Sequence, residues 1–186
     1  MFTDNTLTPR EAIRLCALGT LAAEPMRYSA LANAIRHFVS RILGPSLDLM
    51  GTSIELLRLE GLVRAVPPIG GPMTDAGPED DARLEITDAG RNELRNLLIA
   101  NIRAASTDLN KLIVALKFRF LHHLGAADRQ AQLDLLVESC EKELARLEDL
   151  RAHHAGDPGA LAAWLDHDIA TIERRIAWLG DFRRRS

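Results

Sequence analysis

Several things are scarce in this chain of 186 residues. It has two cysteines, Cys16 and Cys140, and a single tyrosine, Tyr28, in an aromatic content of 4%. Two cysteines at apolar positions of expected helices exclude a disulfide-stapled fold and a cysteine-rich zinc module, so both are read as buried, reduced thiols. No run of about 18 uncharged apolar residues occurs, which excludes a hydrophobic membrane-spanning helix. Met1-Phe2-Thr3-Asp4-Asn5 lacks the basic and apolar regions of a signal peptide, so a cytoplasmic protein is expected. No glycine-rich phosphate loop follows a strand, no nucleophile elbow is present, and no His/Cys/Asp/Glu spacing suits a metal. An enzyme is therefore not expected, nor is a cofactor or a metal site. The histidine pairs His122-His123 and His153-His154 are adjacent in sequence, and neighbours do not share a helix face. They suit helix C-termini, where positive charge meets the dipole. Lysine is absent up to Arg91, where nine arginines face twelve acidic residues. From Asn92 onward fourteen basic residues balance fourteen acidic ones.

Apolar residues make up 47% of the chain, enough for a real core. Thr8-Pro9-Arg10-Glu11 is a capping box with proline at the first helical position, and predicts a helix through Ala23 with Ile13, Leu15, Cys16, Leu18 and Leu21 apolar. Glu24-Pro25-Met26-Arg27 breaks it. A second helix is expected from Ser29 to Leu43 and a third from about Gly51 to Glu60, with Ile54, Leu56, Leu57 and Leu59 facing inward. Leu62 to Val66 reads as a strand. The stretch from Pro67 to Ala82 is rich in Pro, Gly and Asp and reads as a loop. Arg83 to Thr87 is the returning strand. Thr87 or Asp88 then caps a helix whose apolar residues recur at Leu94, Leu98, Ile102, Ala105, Leu109, Leu112, Leu116 and Phe120, which predicts one continuous helix of about eight turns. Two more helices carry stripes from Leu133 to Leu147 and from Leu161 to Leu179.

Three short helices, a two-stranded wing and a following helix give the order of a winged helix-turn-helix. The expected fold is mainly α: a winged helix-turn-helix at residues 1–91, then a helical dimerisation domain at residues 92–186. Long amphipathic helices of this kind bury their stripes by pairing with a second copy. Candidate DNA contacts are Tyr28 before the second helix, Gly51, Thr52, Ser53 and Arg58 on the third, and Arg64 and Arg83 on the wing strands. Trp164 and Trp178 are candidates for an effector pocket.

Four stretches carry a family resemblance: Leu59-Glu60-Gly61-Leu62-Val63, Leu84-Glu85-Ile86-Thr87-Asp88-Ala89-Gly90-Arg91, Glu141-Lys142-Glu143-Leu144-Ala145-Arg146-Leu147-Glu148, and Thr171-Ile172-Glu173-Arg174-Arg175-Ile176-Ala177-Trp178-Leu179. With them the chain resembles the PadR family of bacterial transcriptional regulators over nearly its whole length. The resemblance implies a homodimeric repressor that binds a near-palindromic double-stranded operator and releases it on binding a small molecule, expected to be partly aromatic, or on receiving another signal. Two features depart from the family. Ser53 stands where a tyrosine is usual, and the wing from Gly70 to Asp81 is acidic at its tip. An acidic tip opposes phosphate. The alternative reading is a winged-helix dimer with weak or lost DNA binding that serves as a protein- or ligand-interaction module.

Overall fold

The computed structural model describes residues 7–43, 53–66, 82–101, 108–156 and 159–185. The chain forms two compact units, one of Met1–Ala100 with Thr107–Leu124, the other of Asn101–Ser106 with Gly125–Ser186.

The first unit is built around helix α1 (Pro9–Ala23). The Thr8 hydroxyl accepts the Glu11 amide at 3.3 Å, and the Glu11 carboxylate accepts the Thr8 amide at 2.7 Å, so the capping box forms as read. Every residue from Leu15 to Leu21 is buried, with Ala12 and Ile13 before them. A helix apolar all round must be covered all round. Its neighbours are α2 (Tyr28–Leu43), α3 (Ser53–Leu59), α4 (Asp88–Ile99), α5 (Asp108–Phe120) and strand β3 (Arg83–Ile86).

The sheet has three strands where two were expected. Met26–Arg27 forms β1, and the order is β1-β3-β2 with β2 at Val63–Val66. Both pairings are antiparallel: Met26 faces Leu84 and Arg27 faces Arg83 on one side, while Val63 faces Ile86 and Arg64 faces Glu85 on the other. Pro25 ends α1 by disfavouring the helical conformation at Glu24, which is extended, and Met26 and Arg27 are drawn into a strand by their pairing with β3. Leu84 and Ile86 of the central strand are buried against the helices.

The continuous helix expected from Asp88 to Phe120 does not form. Helix α4 ends at Ile99, and Ala100 is extended. Helix α5 packs against α1 and α2 instead of prolonging α4. The physical reason is the remaining apolar face of α1. Phe120 lies on that helix at Gly19, where an added Cβ would meet the ring at 2.6 Å. The Arg119 guanidinium sits 4.6 Å from the centre of the Phe38 ring, joining α5 to α2. The break is closed by Lys117, whose ammonium donates to the Leu98 and Ala100 carbonyls at 2.5 and 2.7 Å. The donor there also meets the free carbonyls that the end of α4 leaves without intrahelical partners. The boundary expected between Arg91 and Asn92 thus falls inside α4, and both α4 and α5 belong to the first unit.

The start of α4 follows the sequence closely. Thr87 is the cap: its hydroxyl oxygen accepts the Gly90 amide at 3.1 Å, and the hydroxyl is also 2.8 Å from the Gly61 carbonyl. Gly61, at φ 71°, makes the left-handed turn between α3 and β2, a conformation that favours glycine.

The second unit is a hairpin of α6 (Ala126–His153) and α7 (Leu161–Arg185). Arg151 pairs with Asp166 at 2.7 Å near the turn, and Arg183 pairs with Asp134 at 2.6 Å near the open end. These two pairs fix the helices antiparallel. Few side chains in the hairpin are fully buried: Gln132, Leu133, Leu136 and Leu147 on α6, and Leu165 and Leu179 on α7. Val137, Leu144, Ile169, Ile172 and Ile176 are only half-buried, and Trp164 and Trp178 are 54% and 48% exposed.

Candidate nucleic-acid interface

Helices α2 and α3 form the helix-turn-helix. Gly51 and Thr52 lie outside the described residues. So does the acidic stretch of the wing, and of Ser53 only its place as the first residue of α3 is described. On the rest of α3, Ile54 and Leu57 are buried. Leu59, expected to face inward, is 81% exposed. Four apolar residues within six positions cannot all point one way on a 3.6-residue period, and the face of Ile54 and Leu57 wins. The outer face of α3 therefore carries Glu55, Arg58 and Leu59. Arg58 lies 3.7 Å from Glu55 one turn earlier, and its side chain keeps 31% of its exposure. An exposed pair of this kind is worth less than about 1 kcal/mol, so Arg58 can be drawn to another anion at little cost.

A groove joins that face to the sheet. Glu55, Arg58, Leu59, Gly61, Val63, Arg64 and Ala65 line it. Arg64 reaches across the strands to Glu85, with Nε at 3.2 Å and Nη2 at 3.0 Å from one carboxylate oxygen. Arg83 projects from the same face of β3, two residues before Glu85, and is exposed. Facing it across the strands is Arg27, a residue the sequence reading had placed in a helix break. Tyr28, the first residue of α2, donates its amide to the Ala82 carbonyl at 3.0 Å, which extends the β1–β3 pairing into the helix-turn-helix. The structure thus brings Arg58, Arg64, Arg83 and Tyr28 onto α3, the sheet and the start of α2, and adds Arg27. Arg14 of α1 is engaged within the fold: it bonds Glu60 at 2.6 Å and Glu93 at 3.3 Å, tying α1 to the end of α3 and to α4.

Trp164 and Trp178 stand four turns apart on α7, roughly 21 Å along the axis at 1.5 Å per residue. Trp178 stacks on Phe182 with ring centroids 5.6 Å apart. Nothing among the described residues groups three or more His, Cys, Asp or Glu side chains as a metal would need. The His122 and His123 rings lie 4.1 Å apart at the end of the short 3₁₀ turn after α5. Burial, then His122 and then Arg91 lower the His123 pKa. Burial raises the Cys16 thiol to about 11, and it raises the Cys140 thiol against the opposing effect of Arg175. Neither thiol is poised as a nucleophile. No described helix is long and apolar enough to cross a membrane.

A three-helix unit with a β-hairpin and an outward-facing third helix defines a winged helix-turn-helix protein. The chain belongs to a family of transcriptional regulators: the family described as "Putative AphA-like transcriptional regulator" matches residues 2–183. This is the class of protein that the PadR resemblance implies. Among solved structures the chain is similar to the PadR protein of Bacillus subtilis in complex with operator DNA, at 16% identity and a TM-score of 0.35, over 92% of this chain and 97% of that one. No curated protein matches the chain.

Proposed function

We propose that the protein is a homodimeric transcriptional repressor that reads double-stranded DNA with α3 and grips the flanking backbone with its sheet. The observation that carries this reading is the outward face of α3, where Arg58 is joined by a groove to Arg64 on β2, each arginine in an exposed pair with a carboxylate, Glu55 and Glu85. Family membership supports the regulatory role. In this reading Arg58 contacts base edges or phosphate from the major groove, with Gly51, Thr52 and Ser53 at the start of the same segment. Tyr28, Arg64 and Arg83 hold phosphates. An adjacent major groove and backbone are the natural partners of such a unit. The acidic residues of the wing set the strength of binding by opposing phosphate at short range.

The dimer is proposed from the second unit. Two helices of 28 and 25 residues leave Val137, Leu144, Ile169, Ile172 and Ile176 of their apolar stripes half-buried and two tryptophans half-exposed. A second copy is the partner that covers such a stripe, with more than about 2,000 Å² buried as obligate dimers require. A small, partly aromatic effector held against Trp164 or Trp178 completes the proposal, in a protein of the cytoplasm. Hydroxyl-radical footprinting on the DNA upstream of the protein's own coding region tests the dimeric reading. Two protected half-sites about one helical turn apart are expected. A single protected patch would leave α3 as the reader but remove the dimer from the complex.

The competing function is a winged-helix dimer that has lost DNA affinity and binds a protein or a ligand. The net charge of −3 on residues up to Arg91 is what favours it. It predicts no footprint at any salt concentration.

A further inference from the structure

We propose that Leu59, the last residue of α3, reads the methyl group of a thymine in the major groove, so that the bound sequence carries a thymine opposite each copy of α3. The inference rests on the DNA-binding reading above and deepens it, by naming a base and the side chain that selects it.

The exposure of Leu59 starts the argument. It is the most exposed large apolar side chain among the described residues, at 81% against 54% for the next, Trp164. A lone exposed leucine is ordinary on a protein surface. What sets Leu59 apart is its place. Ile54 and Leu57 turn into the core, and Leu59 lies on the opposite side of a helix of seven residues. Glu55 stands one turn before it on that same side. A helix of this size is about 10 Å long, less than the roughly 12 Å width of the major groove, so an outward side chain at its last position still reaches base edges.

The surroundings of Leu59 select what it meets. Arg58 is drawn to Glu55 at 3.7 Å, and Arg64 to Glu85 at 3.0 Å. Between these pairs the groove runs over Leu59, Gly61, Val63 and Ala65, none of which has a polar side chain. Leu59 and Glu55 have nothing to offer a phosphate: the one cannot hydrogen-bond it, and the other repels it. A base edge is the better match. In the major groove every base presents donors or acceptors, and thymine alone adds an apolar group, its methyl. A leucine set against a polar edge covers donors or acceptors without bonding them, which is unfavourable. Set against the thymine methyl, both apolar groups leave water together. Leu59 thus favours thymine by attraction and disfavours the other bases by leaving their polar groups unpaired.

The test uses the full-length protein and two labelled duplexes of equal length, one from its own upstream region and one with that sequence scrambled. Each thymine of the protected stretch is replaced in turn by deoxyuridine, which pairs with adenine in the same way and lacks only the methyl group. Binding is followed by fluorescence polarisation at constant salt. At one thymine of each half-site the replacement is expected to weaken wild-type binding about fourfold, the worth of one buried methyl group. Leu59→Ala should bind the upstream duplex more weakly by at least that factor, bind the scrambled duplex as the wild type does, and no longer respond to deoxyuridine at that position. Leu59→Met keeps an apolar reach and is expected to respond as the wild type does. Wild-type binding that no deoxyuridine weakens overturns the thymine contact and leaves α3 as the reader. A Leu59→Ala protein that still loses affinity at the same thymine overturns it too, since another side chain then makes the contact. So does a Leu59→Ala protein that binds the upstream duplex as tightly as the wild type, an outcome that leaves Leu59 for a protein partner. If the wild type binds neither duplex, the DNA-binding reading falls and the thymine contact falls with it.

Discussion

The Lys117 ammonium donates to the Leu98 carbonyl, 19 residues earlier, from a side chain that is 1% exposed. With its second bond, to Ala100, it ties the free end of α4 to the last turn of α5. Replacing Lys117 with Ala removes both bonds to buried carbonyls and opens a cavity. Each of these effects costs from about 1 to several kcal/mol, so a total loss of about 3 kcal/mol or more is expected. Lys117→Met keeps most of the volume and loses less. Urea denaturation of the three proteins checks the order wild type, Met, Ala. Equal midpoints would show that the cap contributes nothing.

Burial lowers the Lys117 pKa from 10.5 to about 7. The folded protein therefore binds fewer protons at this site than the unfolded chain between those values. Stability rises with pH across that window and gains nothing further beyond it. The buried Cys16 thiol acts in the other direction. Its pKa is raised from 9.0 to about 11, so its contribution is present below pH 9 and is lost as pH climbs towards 11. Unfolding free energy should climb from pH 7 to 9 and then flatten. Lys117→Met should remove the climb, whereas Cys16→Ala should remove the flattening. A wild type whose stability falls between pH 7 and 9 would contradict the assignment.

Two glycines are held by close approach. A Cβ on Gly90 would strike the Leu62 carbonyl oxygen and the Ile86 side chain, where the start of α4 crosses the entry to β2. A Cβ on Gly19 would strike the Phe120 ring. Gly90→Ala drives a methyl group into a backbone carbonyl that cannot swing away and should cost about 2–3 kcal/mol, in the range of an overpacked core. Gly19→Ala should displace α5, and is expected to raise amide exchange selectively along Asp108–Phe120. Uniform exchange throughout α1 and α5 would show that Phe120 does not seat α5.

The second unit supplies a prediction on assembly. Trp164 and Trp178, half-exposed in one chain, should emit at shorter wavelength at micromolar concentration than after dilution to a monomer. Light scattering that gives the mass of one chain at micromolar concentration removes the dimer. Arg183→Ala, which loses the bond to Asp134 at the open end of the hairpin, should change hairpin stability by less than about 1 kcal/mol because the pair is exposed.

Much of the winged unit was legible because its signals are local. The capping box at Thr8, the glycine turn at Gly61 and the alternation of Leu84 and Ile86 each fix one boundary without help from the rest of the chain. The break after Ile99 was not legible from periodicity. The intervals through Ile102 and Ala105 keep to three and four, and no proline or glycine interrupts them. Ser106-Thr107-Asp108, residue types that favour a helix start, were the available sign. Lys117 was a second sign: it stands among Leu112, Ile113, Leu116 and Phe120, where a charge demands a partner. Leu59 and Arg27 were misread for one shared reason. Short segments do not reveal their facing or pairing by pattern, and the packing of Ile54 and Leu57 and the reach of β3 decide them. The arginines of the candidate interface were found by type on α3 and the wing strands. Arg27 became visible only through its register with Arg83.

The central claim is that α3 reads DNA sequence while the sheet holds the backbone. Its most direct measurement is the affinity of the full-length protein for its own upstream duplex and for the scrambled duplex at about 150 mM salt, with wild type and Arg58→Ala side by side. The account predicts that the wild type prefers its own duplex by at least about a thousandfold, the low end for specific binding. Arg58→Ala should lose about 1–3 kcal/mol of that preference while binding the scrambled duplex nearly as the wild type does. Equal affinity of the wild type for both duplexes, or an Arg58→Ala protein that discriminates as the wild type does, would contradict it.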